Sequence, residues 1–347
     1  MNDPLSYLPG PIEIVGCHAA GEVGDVIVAG VETPPGDTLW EQRCWIDEDQ
    51  RLRRHVLNEP RGGVFKHVNL LVPAVDPRAD IGFIIMEPMH SPPMSGSNSI
   101  CVATVVLETG IVAMTEPTTT IVLEAPGGLV EATATCSNGK VEQVTVRNVP
   151  AFVAEHDAQL DLPGFGTVRV DTAFGGDSFV MVDAADLNID VTPENGRRLA
   201  RLGNQLIAAA NEQLEFSHPT TDWRHFSFSQ IAGPLEQLSD TSYIMRNTVV
   251  IEPGKLDRSP TGTGVSARMA LLHARGTMIV GDELRMRSVI DSEFVGRIES
   301  ETVIGDHRAI VPLISGTAWR TGRFTFDLDP GDPWPLGYRV TDTWGVD

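Results

Sequence analysis

A chain of 347 residues is long enough for two packed lobes rather than one small core, and its 41% hydrophobic and 21% charged content is ordinary for a globular protein. The formal net charge of −21 repels phosphate backbones and acidic membranes, which argues against nucleic-acid binding; it also repels an anionic substrate at long range, so any carboxylate site must supply strong local donors. No apolar run reaches the roughly 18 residues needed to span a bilayer, and Met1-Asn2-Asp3-Pro4 opens no basic-then-apolar leader, so a cytoplasmic protein is expected.

Short apolar runs between Pro and Gly read as strands in chain order: Ile12 to Val15, Val26 to Val28, Ile81 to Met86 and Thr119 to Leu123, then Val168 to Val170, Ser178 to Val182 and Thr248 to Ile251. One long amphipathic helix runs from Thr192 to about Leu214. It opens on Thr192-Pro193-Glu194, with Thr as cap and Pro in the first turn, and carries the stripe Leu199, Leu202, Leu206 and Ala209. The four cysteines, Cys17, Cys44, Cys101 and Cys136, form no CxxC pair, and their spacing suits neither a zinc site nor a disulfide framework; free buried thiols are expected.

A weak internal repeat organises the rest. Pro93-Met94-Ser95-Gly96-Ser97-Asn98-Ser99-Ile100 parallels Ser259-Pro260-Thr261-Gly262-Thr263-Gly264-Val265-Ser266: a hydroxyl residue, a glycine, then small polar residues. A helix is predicted after each, Cys101 to Thr109 and Ala267 to Arg275, stopping at Gly110 and Gly276. Ser95 to Thr261 and Gly110 to Gly276 both span 166 positions. A helix N-terminus leaves backbone N–H groups unpaired and positively polarised, and adjacent glycines let a ligand approach. Two such turns on either side of one small carboxylate would supply the donors that the acidic surface lacks.

These segments resemble the proline racemase family. Asp257 to Arg268 is similar to its D-R-S-P-C-G-T-G-T-S-A-R stretch, and Met94 to Ile100 to its M-C-G-H-x-T-I stretch. Glu59-Pro60-Arg61-Gly62 matches E-P-R-G, His18 to Glu22 resembles the H-T-x-G-E/M start, and Asp171 to Gly176 resembles the segment that opens the second lobe. The resemblance implies an α/β (α+β) fold of the diaminopimelate-epimerase type. That fold has two pseudo-symmetric lobes, each a curved, mostly antiparallel sheet around a central helix. On this basis the first lobe is expected at 1–165, with strands at about 325–347 returning to it, the second at 166–324, and the active site at their interface. A homodimer, no organic cofactor and no metal are implied as well.

Family racemases and epimerases use two cysteines, one on each face of the substrate α-carbon. Here those positions are Ser95 and Thr261. A thiol titrates near about 8.5 and is easily tuned to act as a base, whereas an alcohol is far less acidic, so a two-thiol inversion is excluded. Trans-3-hydroxy-L-proline dehydratases of the family carry Thr at the second position. In their substrate the α-hydrogen and the 3-hydroxyl share one ring face, so one face suffices for elimination to Δ1-pyrroline-2-carboxylate. Dehydration is therefore the expected activity. Weak 2-epimerisation of 4-hydroxyproline, or binding of a proline analogue without turnover, are the alternatives.

By the resemblance, Ser95 takes the proton-acceptor position and needs an activating neighbour, with Asp257 first and His90 second. Thr261 is expected to hydrogen-bond the leaving hydroxyl or shape that face, the alternative being a plain helix cap. Gly96 with Ser97, and Gly262 with Thr263, are expected to bind the carboxylate through backbone N–H groups; Asp257 contacts the ring nitrogen. Ser97 stands where the family has His, or caps the helix. Asp177 and His225 align to no family role and are read as structural, and Cys101 as core.

Overall fold

The computed structural model describes residues 10–344; residues 1–9, which include the segment read for a leader, and 345–347 lie outside the described residues. The chain divides into two compact units. One holds the described residues up to Val146 together with those from Thr317 on, and the other holds Arg147–Gly316.

In the first unit Ile12–Ala19 pairs antiparallel with both Ala318–Phe326 and Asp25–Ala29. From there the row continues through Val68–Val72 (parallel), Ile81–Met86 (antiparallel), Thr118–Ala125 (parallel) and Gly128–Ser137 (antiparallel). Helix α1 (Leu39–Asp49) and helix α2 (Arg51–Leu57) cover one face, where Leu39, Ile46 and Val56 pack with Ile12, Ile14, Ile27, Leu70 and Ile84. Helix α3 (Gly96–Glu108) covers the other and touches strands from both ends of the row, so the sheet curls around it. Burial on both faces is why Ile81 to Met86 reads as an unbroken apolar run rather than an alternation. Helix α1 was not legible because its inner face includes Gln42 and Arg43, which break any apolar stripe; it is set instead by a capping box between Thr38 and Glu41.

The second unit closes on itself. Ala151–Leu162, Gly166–Phe174, Ser178–Asp183, Phe228–Ala232, Ser242–Ile251, Glu283–Arg287, Glu293–Ile304 and His307–Gly316 pair in that order. The last strand returns to the first through Ala309↔Phe152 and Ile310↔Ala151. Helix α4 (Gly196–Gln213) packs outside with Leu199, Leu202, Leu206 and Ala209 buried as read; a short 3-10 turn at Pro193–Asn195 precedes it. Helix α5 (Gly262–Ala274) runs inside the ring, with Gly262 to Leu272 all buried. A Cβ on Gly175 would lie 2.1 Å from the Thr263 carbonyl oxygen, so the strand end seats directly on the backbone of this helix.

The division differs from the boundaries near 165 and 324. Residues 163–165 are the turn of a hairpin, Ala151–Leu162 with Gly166–Phe174, so no unit boundary can fall there. At the other end, pairing of Ala318–Phe326 with Ile12–Ala19 commits the chain to the first unit from Thr317. Helices α3 and α5 are each 13 residues long and start directly after Ser95 and Thr261, five residues before the predicted starts. The small polar residues of the first turns are held helical by bonds to the preceding turn: Ser99 Oγ to Ser95 O at 2.8 Å, and Ser266 Oγ to Gly262 O at 2.9 Å.

Candidate active site

The two hydroxyl residues cap equivalent helices and have unlike partners. Ser95 is the N-cap of α3 with extended backbone, φ −148° and ψ 123°. Its Oγ accepts from the Asn98 backbone N–H at 3.4 Å and from the Asn98 side-chain amide at 2.9 Å, and lies 3.4 Å from Ser97 Oγ. Ser95 thus supplies the cap that Ser97 was weighed for. Asn98 Oδ1 accepts from Asn69 Nδ2 at 2.8 Å, and Asn69 Nδ2 also donates to the Asp25 carbonyl at 3.2 Å. Asn69 and Asn98 are 0% and 1% exposed, so these bonds carry no competition from solvent. Neither asparagine was singled out from the sequence: Asn98 is one of several small polar residues in its turn, and Asn69 is a lone polar residue in the apolar run Val68–Val72.

Behind this turn lies a buried ionisable layer. Asp25 holds the Cys17 N–H at 3.1 Å and Lys66 Nζ at 3.1 Å, yet burial still raises its carboxyl above the usual range. His67 sits between Glu22 and Glu87, at 3.5 and 3.6 Å. Burial, followed by Cys17 and the Asp25 and Glu22 carboxylates, pushes the Cys101 thiol well up. A thiol so held is not a thiolate at neutral pH, in keeping with Cys101 as core rather than a displaced nucleophile.

The loop before Ser95 is fixed by three guanidiniums on its carbonyls. Arg53 reaches Glu87 O at 3.0 Å, Arg339 reaches Pro88 O at 2.7 Å, and Arg43 reaches Ser91 O at 2.5 Å. His90 belongs to this loop, its carbonyl accepting from the Glu87 N–H. The Glu59-Pro60-Arg61-Gly62 motif does different work from the turn: Arg61 binds Asp332 and the carbonyls of Trp334 and Pro335, while Glu59 accepts from Trp344 and Thr343, so the motif clasps the C-terminal segment.

Thr261 precedes α5 with φ +64° and ψ 98°, a conformation that a β-branched residue rarely adopts. Its Oγ1 donates to Asp257 Oδ2 at 2.6 Å, and Asp257 Oδ1 accepts from the Ser259 N–H at 2.8 Å; all three residues are buried. Thr261 makes no side-chain bond to its own helix, so it is not a plain cap. The carboxylate expected to activate Ser95 is therefore committed to Thr261. The reason is local geometry: the positive φ turns the hydroxyl back over the four-residue loop instead of forward onto the helix.

Three side chains hold this second turn. Asn247 Nδ2 donates to Pro260 O at 3.1 Å, Gln230 Nε2 donates to Gly264 O at 2.9 Å, and Arg268 Nε fixes the other end of Gln230 at 2.8 Å. Gly96, Ser97, Gly262 and Thr263 stand in the first turns of α3 and α5, ahead of where those helices were expected to begin, and helix geometry gives their N–H groups no intrahelical acceptor there. Asp177 is fully buried and accepts from the Ser178 N–H at 2.7 Å; the His225 carbonyl accepts from Ser178 Oγ, which also accepts from Trp223 Nε1. Among the described residues no group of three or more His, Cys, Asp or Glu side chains is arranged to hold a metal ion, and no helix is long and apolar enough to cross a membrane.

A model of the proline racemase family matches residues 14–339. A hydroxyproline epimerase from Agrobacterium vitis, solved with bound trans-4-hydroxy-L-proline, superposes with a TM-score of 0.92 at 37% identity, over 97% of this chain and 98% of that one. A probable proline racemase from Agrobacterium radiobacter, solved with bound carbonate, gives 0.92 at 39% identity, over 96% and 98%. A phenazine biosynthesis protein of the PhzF family from Bacillus anthracis, at 14% identity and a TM-score of 0.57 over 92% and 99%, shares the fold alone.

Proposed function

The chain belongs to the proline racemase family, and we propose that within it the protein is a cofactor-independent dehydratase of trans-3-hydroxy-L-proline. The observation that carries this reading is the inequivalence of the two hydroxyls. Thr261 gives its proton to a carboxylate, Asp257, whereas Ser95 Oγ receives two N–H bonds from Asn98. Inversion needs a base on one face and an acid on the other that exchange roles for the opposite enantiomer. A pair whose polarity is fixed by its partners favours one direction only.

Elimination from the trans-3 isomer needs one face, because the α-hydrogen and the 3-hydroxyl lie together on it. In the proposed course, Thr261 Oγ1 takes the α-proton while its own proton passes to Asp257 Oδ2. The C–O bond at C3 then breaks, and the same pair returns one proton to the departing hydroxide. Water leaves, the enzyme regains its starting protonation, and the enamine tautomerises to Δ1-pyrroline-2-carboxylate. Backbone N–H groups of Gly96 with Ser97, and of Gly262 with Thr263, bind the carboxylate. The Ser95 O–H donates to the charge that spreads onto that carboxylate as the α-carbon is deprotonated. This assigns proton abstraction to Thr261 rather than Ser95, on the ground that only Thr261 has a carboxylate to receive its proton. The reading also takes the enzyme as a homodimer, on the family resemblance.

The test is a proton NMR time course in D2O with trans-3- and trans-4-hydroxy-L-proline in separate tubes. Conversion of the 3-isomer to Δ1-pyrroline-2-carboxylate with the 4-isomer unchanged supports dehydration. The bound ligand of the Agrobacterium vitis neighbour favours a second reading, 2-epimerisation of 4-hydroxyproline; α-deuteration and inversion of the 4-isomer would establish it and end the dehydratase reading. No reaction with either leaves a binding protein.

A further inference from the structure

We infer that Asn98 and Asn69 set the direction of the Ser95 hydrogen bond, with Asn98 holding Ser95 as a proton donor and Asn69 fixing Asn98 in the orientation that does so. The inference deepens the dehydratase reading and rests on it for what Ser95 donates to.

The polarity can be traced outward from a group that has only one choice. A backbone carbonyl accepts and never donates, so the contact with Asp25 O fixes the amide nitrogen of Asn69 on that side. The same nitrogen then meets Asn98 at 2.8 Å, which obliges Asn98 to present its oxygen there. With its oxygen so engaged, Asn98 turns its Nδ2 to Ser95 Oγ at 2.9 Å, beside its own backbone N–H at 3.4 Å. Two donors occupy the acceptor directions of the serine oxygen, and the hydroxyl proton is left for another acceptor. Asp25 is itself held in place through its Oδ1 bond to the Cys17 N–H and its N–H bond to the His67 carbonyl.

A second observation sets this chain of bonds apart from ordinary core satisfaction. Asn69 is 0% exposed and its Oδ1 has no hydrogen-bond partner among the described residues. A buried carboxamide placed to satisfy itself would not strand its acceptor. Asn69 gives up that oxygen in order to donate twice from one nitrogen, to a fixed carbonyl and to Asn98. Asn69 and Asn98 are positioning residues: both act through Ser95.

Asn98→Asp tests this with a readout that a merely structural role would not move. The introduced carboxyl has the shape of the asparagine. Protonated, it still accepts from Asn69 and donates to Ser95 Oγ. Ionised, it takes the serine proton and reverses the bond. Burial together with the Asp25 and Glu22 carboxylates, and with the Cys17 and Cys101 thiols beside them, raises its pKa; Lys66 and His67 on the adjoining segment oppose that shift. The expected result is a kcat about 10- to 100-fold below wild type at pH 8, recovering as the pH falls while the wild-type profile does not, with KM nearly unchanged. Asn69→Leu should lower kcat at every pH without recovery. A variant-to-wild-type ratio that does not vary with pH, or an Asn98→Asp enzyme with wild-type kcat at pH 8, would overturn the inference. Should that variant fail to fold, Asn98→Ala decides: a kcat loss at constant KM supports it, and wild-type kcat removes it. The wild type's choice between the 3- and 4-isomers judges the dehydratase reading. The variant ratio, taken on whichever isomer reacts, judges this one, and both fall if neither isomer reacts.

Discussion

Thr261→Val and Thr261→Ser separate the hydroxyl from the backbone that carries it. Valine keeps the volume, the β-branching and therefore the strain at φ +64°, and removes only the donor to Asp257. Asp257 is 3% exposed, so its Oδ2 loses its partner where water cannot replace it. A buried bond to a charged acceptor is worth roughly 1.5–3 kcal/mol. For a unit the size of Arg147–Gly316 each kcal/mol moves the midpoint by about 2–4 °C, so the thermal transition of Thr261→Val should fall by roughly 3–12 °C. Serine keeps the bond. It loses one buried methyl, about 0.8 kcal/mol, and relieves a β-branched residue of an unfavourable φ, a gain of similar size. Its midpoint should stay within about 2 °C of wild type. In activity the two part further. Thr261→Val should lose about 10²- to 10³-fold in kcat for the 3-isomer, because no oxygen remains to take the α-proton, while Thr261→Ser stays within about 10-fold. Differential scanning calorimetry and the D2O time course measure both. A Thr261→Ser enzyme as impaired as Thr261→Val, or a Thr261→Val enzyme that still dehydrates at the wild-type rate, would refute the assignment of Thr261 and Asp257 as the proton-accepting pair.

Of the four cysteines only Cys44 is exposed, and neither helix-capping position holds a thiol. Iodoacetate should therefore label Cys44 and leave turnover intact; inactivation that hydroxyproline protects against would contradict the placing of Ser95 and Thr261. His55 binds the Pro335 carbonyl at 2.6 Å, and burial, with Arg61 adding to it, holds its imidazole below the ordinary 6.5. A histidine lowered in the folded state takes up its proton more readily when unfolded, so its contribution to stability is present above pH 6.5 and is lost as the pH falls below it. His18 and His218 are lowered by burial too and share the slope. His55→Gln should flatten the fall in melting midpoint between about pH 6.5 and 5, and an unchanged slope would show that the buried imidazole does not drive it.

Much of the candidate site was legible because it is written locally. A hydroxyl residue, a glycine and a run of small residues before an apolar helix can be read wherever it occurs, and the 166-residue offset between Ser95 and Thr261 reappears as two 13-residue helices, one in each unit. The C-terminal stops hold as well, with Gly110 and Gly276 at φ +75° and +72°. The boundary expected near 165 differs from the division at Val146 and Arg147 because residues 163–165 turn a hairpin, and the pairing of Ala151–Leu162 with Gly166–Phe174 is not visible in the chain order.

Sequence alone pointed to the family, to the α/β class and to Ser95 and Thr261 as the hydroxyl residues ahead of two equivalent helices. Those follow from motifs whose residues lie side by side in the chain. Tertiary structure alone decided which partners each hydroxyl has. Asp257 and Thr261 are four residues apart and visible together, but only the positive φ at Thr261 turns one onto the other. Asn69 lies 29 residues from Asn98, on a strand that reaches α3 because Val68–Val72 pairs beside Asp25–Ala29. A hydrogen bond has a direction, and that direction is set by the one acceptor in the network that cannot donate, the Asp25 carbonyl. No local pattern in the sequence carries that information, because it exists only once the strands are in register.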